Sequence, residues 1–417
     1  MSPQRPILSL ILIIISLGFC FGSEHEHSSL LARRYSRSKT SKASRSQASV
    51  NVDDYGAMSR DGKEDTEAFK KAWNEACSKG AVLVVPENKV YHLKPIKFSG
   101  PCQPNTTFMV YGTIKAWPHL SAYEEDPTHW IQFEGITGLR VDGGGIGTFN
   151  GNGKKWWKKS CKVNKSLPCT DAPTAVTFDE CTNLIVKNLR FKNSQKMHIN
   201  IQNCLNVMLT GLKVIAPEDS PNTDGIHVTR TKNILISNSF IGTGDDCISI
   251  ESGSRNVKVT DITCGPGHGI SIGSLGDDKS KAEVSNVVVN RAKLRGTTNG
   301  VRIKTWQGGS GYARFIEFMN IEMENVSNPI IIDQNYCDQE EPCHEQESAV
   351  KLSNLLYQNI SGTSASEVAI KFDCSKTVPC NHVYVENVRL EAEGGGQTTA
   401  SCDNVIYVNQ GNLFPKC

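Results

Sequence analysis

Polar and apolar positions alternate along short strings of this chain, and the strings recur. Asn183-Leu184-Ile185-Val186-Lys187-Asn188-Leu189-Arg190-Phe191 is echoed by Asn206-Val207-Met208-Leu209-Thr210-Gly211-Leu212-Lys213-Val214. The pattern returns from Asn233, Asn256 and Asn286, with weaker copies near Phe315, Asn354 and His382. The steps between the first five starts are 23, 27, 23 and 30 residues. A period of two places alternate side chains on opposite faces of a strand. Internal repeats of this length, with little helical pattern between them, predict a solenoid with one coil per repeat. The expected fold class is therefore all-β, a parallel β-helix.

One stretch ahead of the repeats has helical spacing. Phe69, Ala72, Trp73 and Ala76 fall on one face of a helix over Asp65–Cys77, with Asp65 as N-cap. A single short helix near the start of a solenoid predicts a cap over its open end. Strands are expected over Ala81–Pro86 and Phe108–Ile114. The glycines between Gly143 and Gly153 read as turns, because no Gly-Lys-Ser/Thr follows and no helix opens after a strand. Trp156 and Trp157, flanked by lysines, either stack on a sugar or pack at a coil edge.

The first 22 residues are expected to lie outside the fold. Arg5 precedes the apolar run Ile7–Phe21, and Cys20 and Gly22 are small residues ahead of Ser23, the pattern of a secretory signal peptide. The run is short for a spanning helix, which needs about 20 residues, and no later stretch is apolar enough. Residues 23–50 are basic and Ser-rich and are expected to be disordered, as a tether to an anionic polymer, a pro-segment or an inert linker. Residues 51–417 are expected to form a single domain.

Secretion makes the cysteines intelligible. Of 15, Cys20 leaves with the leader and 14 remain. Close pairs occur at Cys161/Cys169, Cys337/Cys343, Cys374/Cys380 and Cys402/Cys417, although spacing does not fix connectivity. The lack of a Cys-x-x-Cys pair disfavours zinc. Sequons begin at Asn105, Asn164, Asn325 and Asn359. The formal charge of +2 depends on the basic first 50 residues; without them the balance is slightly acidic. That argues against a nucleic-acid partner, which demands a basic face.

The candidate chemistry lies between Asn222 and Gly269. Asp224 and Asp245 are 21 residues apart, and Asp246 and His268 are 22 apart. One coil is about that long, so these residues are expected to stack at one angular position, about 4.7–4.9 Å between coils. Carboxylates that close cannot all ionise at their usual pKa. An acid and a base side by side suit glycoside hydrolysis. Arg302 and Lys304, two residues apart on one strand face, suit an acidic substrate. Against this stands the ordinary use of Asp in Asn/Asp/Gly strings to form turns.

The motifs Asn222-Thr223-Asp224, Gly244-Asp245-Asp246, Gly267-His268-Gly269 and Arg302-Ile303-Lys304, with the opening Asn51-Val52-Asp53-Asp54-Tyr55-Gly56-Ala57, resemble the polygalacturonases. The similarity runs over residues 51–417 and is greatest to the plant members. It implies a right-handed parallel β-helix and inverting hydrolysis of pectin. It further implies Asp245 as general acid, Asp224 and Asp246 as the pair that holds and deprotonates water, and His268 as the group that tunes the acid or touches substrate. Acid and base are expected about 6.5–9.5 Å apart. Asn222, Arg302, Lys304 and Tyr336 are implied as substrate-binding residues, with Arg302 as a bidentate fork for a galacturonate carboxylate. No metal, no cofactor and no membrane or nucleic-acid partner is expected; the expected form is a secreted cell-wall monomer. A pectin lyase, which usually needs Ca²⁺, a hydrolase of rhamnose-containing pectin, and a silent wall-binding protein are the alternatives.

Overall fold

The asparagine that opens each repeat makes a corner. Asn183, Asn206, Asn233, Asn256 and Asn286 have φ of 56°, 57°, 60°, 56° and 57°. This left-handed region disfavours most side chains, and Asn tolerates it. Each amide then donates to the one before it: Asn206 to Asn183 at 3.0 Å, Asn233 to Asn206 at 3.0 Å, Asn256 to Asn233 at 2.9 Å and Asn286 to Asn256 at 3.0 Å. The same residue thus turns the chain and joins consecutive coils. The weaker copies keep the corner without that ladder: Phe315, Asn354 and His382 have φ of 55°, 55° and 53°.

The computed structural model describes residues 47–60, 62–339 and 343–417. The expected leader and the basic segment up to residue 46 lie outside the described residues. The first strand, Ser49–Asn51, starts inside the segment expected to be disordered through residue 50, because Val50 is buried and pairs with Leu83. Strands then stack in parallel into an 18-stranded and an 11-stranded sheet. This is a right-handed parallel β-helix. The larger sheet bends at a second line of positive-φ residues that includes Asn188, Asn238, Asp261, Arg291, Asn320, Asn359 and Asn387. The Asn359 sequon falls on this line, its amide donating to Asn320 at 3.1 Å.

Register places like residues over like. Val176, Ile199, Ile226, Ile248, Ile270, Val301, Ile330 and Ile370 form one inward file of the smaller sheet, all fully buried or nearly so. Aromatic rings stack in the same way, Phe133 on Phe178 at 5.1 Å and Phe149 on Phe191 at 5.3 Å. At about 25 cal/mol per Å² of apolar surface removed from water, these files are the main favourable contribution to folding.

The helix spans Thr66–Lys79 and buries Phe69, Ala72, Trp73 and Ala76 against the first coils. Trp73 meets Phe98 at 5.3 Å and donates its indole N–H to Ser99 O at 3.1 Å. Asp65 occupies the N-cap position without capping: its carboxylate accepts from Met58 N at 2.7 Å and His92 N at 3.2 Å. The stretch expected as one strand over 108–114 is two, Thr107–Val110 and Thr113–Ala116. They are separated at Gly112, where a Cβ would meet Pro86 O at 2.3 Å.

Among the described residues six disulfides form: Cys77–Cys102, Cys161–Cys169, Cys247–Cys264, Cys337–Cys343, Cys374–Cys380 and Cys402–Cys417. Cys181 and Cys204 remain as buried thiols.

Candidate active site

The register Ile226↔Ile248↔Ile270 places Asp224, Asp246 and His268, each two residues ahead of its strand, on successive coils. Asp245 precedes Asp246 in the same turn. The true coil equivalents are thus Asp224 and Asp246, and the 21-residue spacing to Asp245 is one residue short of a coil. The disulfide Cys247–Cys264 ties this turn to the Gly265-Pro266-Gly267 turn ahead of His268. Gly267 has φ +140°, and a Cβ there would meet Asp245 O at 2.5 Å, so the backbones can approach only without a side chain.

Each acid has its own partners. Asp246 is buried, with a side chain 1% exposed. Its Oδ1 accepts from Ser271 Oγ at 2.8 Å and from an Arg302 guanidinium N–H at 2.8 Å, and its Oδ2 from Lys304 Nζ at 3.0 Å. Arg302 Nε also donates to Ser271 Oγ at 3.0 Å. Burial pulls the Lys304 ammonium down, but the Asp246 charge more than offsets it and holds Lys304 above its ordinary value. Arg302 and Lys304, expected to face substrate, therefore grip a protein carboxylate while retaining 13% and 11% exposure.

Asp245 faces His268. The imidazole Nδ1–H donates to Asp245 Oδ1 at 3.0 Å, and the Asp246 backbone N–H donates to the same oxygen at 2.7 Å. Burial pushes Asp245 up, but the His268 hydrogen bond and charge outweigh it and hold the carboxyl below its usual range. The same bond raises His268. Asn222, at φ 53°, directs its amide to Asp245 Oδ2 at 3.5 Å.

Asp224 is raised, first by burial and then by the Asp245 charge. Its Oδ2 lies 3.6 Å from His227 Nδ1. Behind it, His198 is fully buried: its backbone N–H donates to Asp224 O at 2.8 Å and its ring Nδ1 lies 3.1 Å from the same carbonyl. Burial pushes His198 down to about 4, so it is a neutral brace. Thr223 Oγ1 accepts from Gly244 N at 3.0 Å, locking the two acidic turns together.

Tyr336 closes the far side. It stands opposite Trp306, its ring 5.1 Å from the indole, and Lys304 Nζ lies 5.4 Å from its centroid. A groove of about 540 Å³ opens beside Asn222, lined by Tyr123, Trp156, Trp157, Lys159 and Lys196 among others. Both tryptophans pack: Trp156 against Tyr123 at 5.3 Å, and Trp157 through its indole N–H to Ser194 O at 3.0 Å.

All eight sequence-derived residues meet in this one region. Ser271, His198 and His227 were not among them. The coil register would have found His227, Ser249 and Ser271, since each follows its coil-edge residue Asp224, Asp246 or His268 by three. Ligand atoms of Asp245, Asp246 and His268 lie within 4.8 Å of one another. The Asp246 oxygens are already taken by two cations and a hydroxyl, which suits an ion-pair network better than a divalent metal.

The model of the glycosyl hydrolases family 28 matches residues 77–411. A polygalacturonase from Persea americana is 59% identical over 86% of this chain and 77% of that protein. Polygalacturonase QRT2 from Arabidopsis thaliana is 53% identical over 94% of this chain and 90% of that protein. The crystal structure of endo-xylogalacturonan hydrolase from Aspergillus tubingensis superposes with a TM-score of 0.74 at 22% identity, covering 88% of this chain and all of that one.

Proposed function

The chain belongs to the glycosyl hydrolases family 28, and on that premise we propose that it hydrolyses the α-1,4-galacturonosidic bonds of polygalacturonate with inversion at the anomeric carbon. The observation that carries this reading is the pairing of Asp246 with both Arg302 and Lys304 beside Asp245. Two cations on an outward strand face, each still partly open, suit a sugar that bears a carboxylate. Relatives named polygalacturonase at 59% and 53% identity support the same substrate.

In this mechanism Asp245 protonates the glycosidic oxygen, and Asp224 with Asp246 orients and deprotonates the attacking water. Asp245 holds the charge and His268 the proton. A bound galacturonate chain excludes water from Asp245 and brings further carboxylates near it. Both changes favour the protonated acid, so the proton moves from His268 toward Asp245 as the cleft fills. Asn222, Arg302, Lys304 and Tyr336 line the bound sugars. Six disulfides suit an oxidising compartment, and we place the enzyme, as a monomer, outside the cell in the wall where pectin lies.

Proton NMR of the first products from polygalacturonate tests the reading. The β-anomer is expected first. A first product of α configuration would reject inversion, and an unsaturated sugar end would reject hydrolysis.

A further inference from the structure

We propose that His227 is a positioning residue for the water-activating carboxylate Asp224, supplying the cation that Arg302 and Lys304 supply to Asp246. The inference rests on the assignment of Asp224 as a base in the reading above. His227 stands on the outward face of Ile226–Thr229, between Asn200 and Ser249 in register. Its side chain is 15% exposed, and that of Asp224 is 11% exposed. Nδ1 lies 2.8 Å from Ser249 Oγ and 3.6 Å from Asp224 Oδ2.

His227 lies on the coil of Asp224 itself, three residues on, whereas the partners of Asp246 come from the coils that follow it. Asp246 is met by Ser271 and then by Arg302 along one outward file. His227, Ser249, Ser271 and Arg302 are consecutive members of that file. An anion as buried as Asp224, with Asp245 and Asp246 beside it, needs a nearby opposite charge to stay ionised. The imidazolium charge, 3.6 Å from Asp224 Oδ2, favours the anion.

The groups around the imidazole fit this role. Asn200 and Ser249 flank it and are neutral. Asp224, Glu251 and Asp246 contribute negative charge, and Lys304 lies beyond them near Asp246. Burial pulls His227 down, but Asp224, Glu251 and Asp246 outweigh it and hold it above its ordinary value. Glu251, two residues on from Ser249, is itself pushed up to about 7 by burial. It therefore carries a proton over much of the acidic range and leaves Asp224 as the principal anion facing His227.

Two measurements test the proposal. In His227→Gln the acid limb of kcat/KM on oligogalacturonate is expected to move up by about one pH unit, because Asp224 loses the cation that favours its ionised form. The rate then falls about tenfold below the limb and little above it. A uniform fall at all pH values, with the limb unmoved, would show a merely structural role and overturn the proposal. The second measurement needs no substrate, so it stands apart from the hydrolase reading and from the folding of the His227 variant. The imidazole NMR titration of His227 is expected to drop by about one unit or more in Asp224→Asn. An unchanged titration would overturn the proposal.

Discussion

His268 donates its Nδ1–H to Asp245 Oδ1 across 3.0 Å, and the bond moves the two groups in opposite directions, the imidazole up and the carboxyl down. One proton shared by this pair is thus retained to a pH above the ordinary imidazole value of about 6.5. The alkaline limb of kcat/KM should follow the loss of that proton. In His268→Gln the proton has only Asp245 to hold it. Asp245 then rises from its lowered position but stays a carboxyl, so the alkaline limb is expected to move to lower pH and the active window to narrow. The stabilising effect of the bond obeys the same signs. It is lost as pH rises through the folded value of His268 and as pH falls through that of Asp245. A pH series of kcat/KM and of Tm on wild type and variant checks both, and an alkaline limb that stays in place would remove His268 from the proton path.

Asp245→Asn keeps the shape of the side chain and removes its proton. Turnover of polygalacturonate is expected to fall by on the order of 10²–10⁴, with folding and substrate binding nearly intact. An activated substrate such as galacturonosyl fluoride needs no acid to expel its leaving group, so its hydrolysis should survive in this variant. Survival instead in Asp224→Asn, with loss in Asp245→Asn, would exchange the two roles.

Arg302→Gln removes one of two cations from a carboxylate that is 1% exposed. Breaking a buried ion pair on one side typically costs about 3–5 kcal/mol, and the Lys304 contact that remains reduces this toward the lower end. Tm and activity should both fall. A double-mutant cycle with Asp246→Asn should return a coupling of about 0.5–3 kcal/mol. A coupling near zero would mean that Arg302 serves substrate alone.

The parts of the fold that the sequence made legible are those where one residue answers one backbone demand. The asparagines at 183, 206, 233, 256 and 286 stand where φ is positive, and their spacing is the coil length. The acids were legible for the same reason, because a solenoid converts sequence period into contact. What was not legible depends on side-chain reach. Nothing in Arg302-Ile303-Lys304 says that both cations close on Asp246, 56 and 58 residues away. The Asp65 carboxylate likewise leaves its own helix for Met58 and His92. Its position was readable and its partners were not.

Phe315 offers a test of the corner rule. Register places it between Asn286 and Asn354 on the ladder line, with φ 55° and 48% exposure. A bulky apolar side chain is strained at that φ and has no amide to donate or accept. Its visible compensation is the Arg314 guanidinium, 5.5 Å from the ring, worth about 0.5–1 kcal/mol at an exposed site. Asn tolerates the same backbone and can reach the amide below it, at about 0.5–1.5 kcal/mol for each bond made. Phe315→Asn is therefore expected to stabilise the protein by about 1 kcal/mol. Asn233→Ala, which removes two rungs and forces Ala to φ 60°, should destabilise it by about 2–3 kcal/mol. Asn233→Gly keeps the backbone without strain and should fall between Asn233→Ala and wild type. Thermal unfolding at one scan rate ranks the four proteins. An order with Phe315→Asn below wild type, or with Gly no better than Ala at 233, would show that the corners are held by packing rather than by φ and the amide ladder.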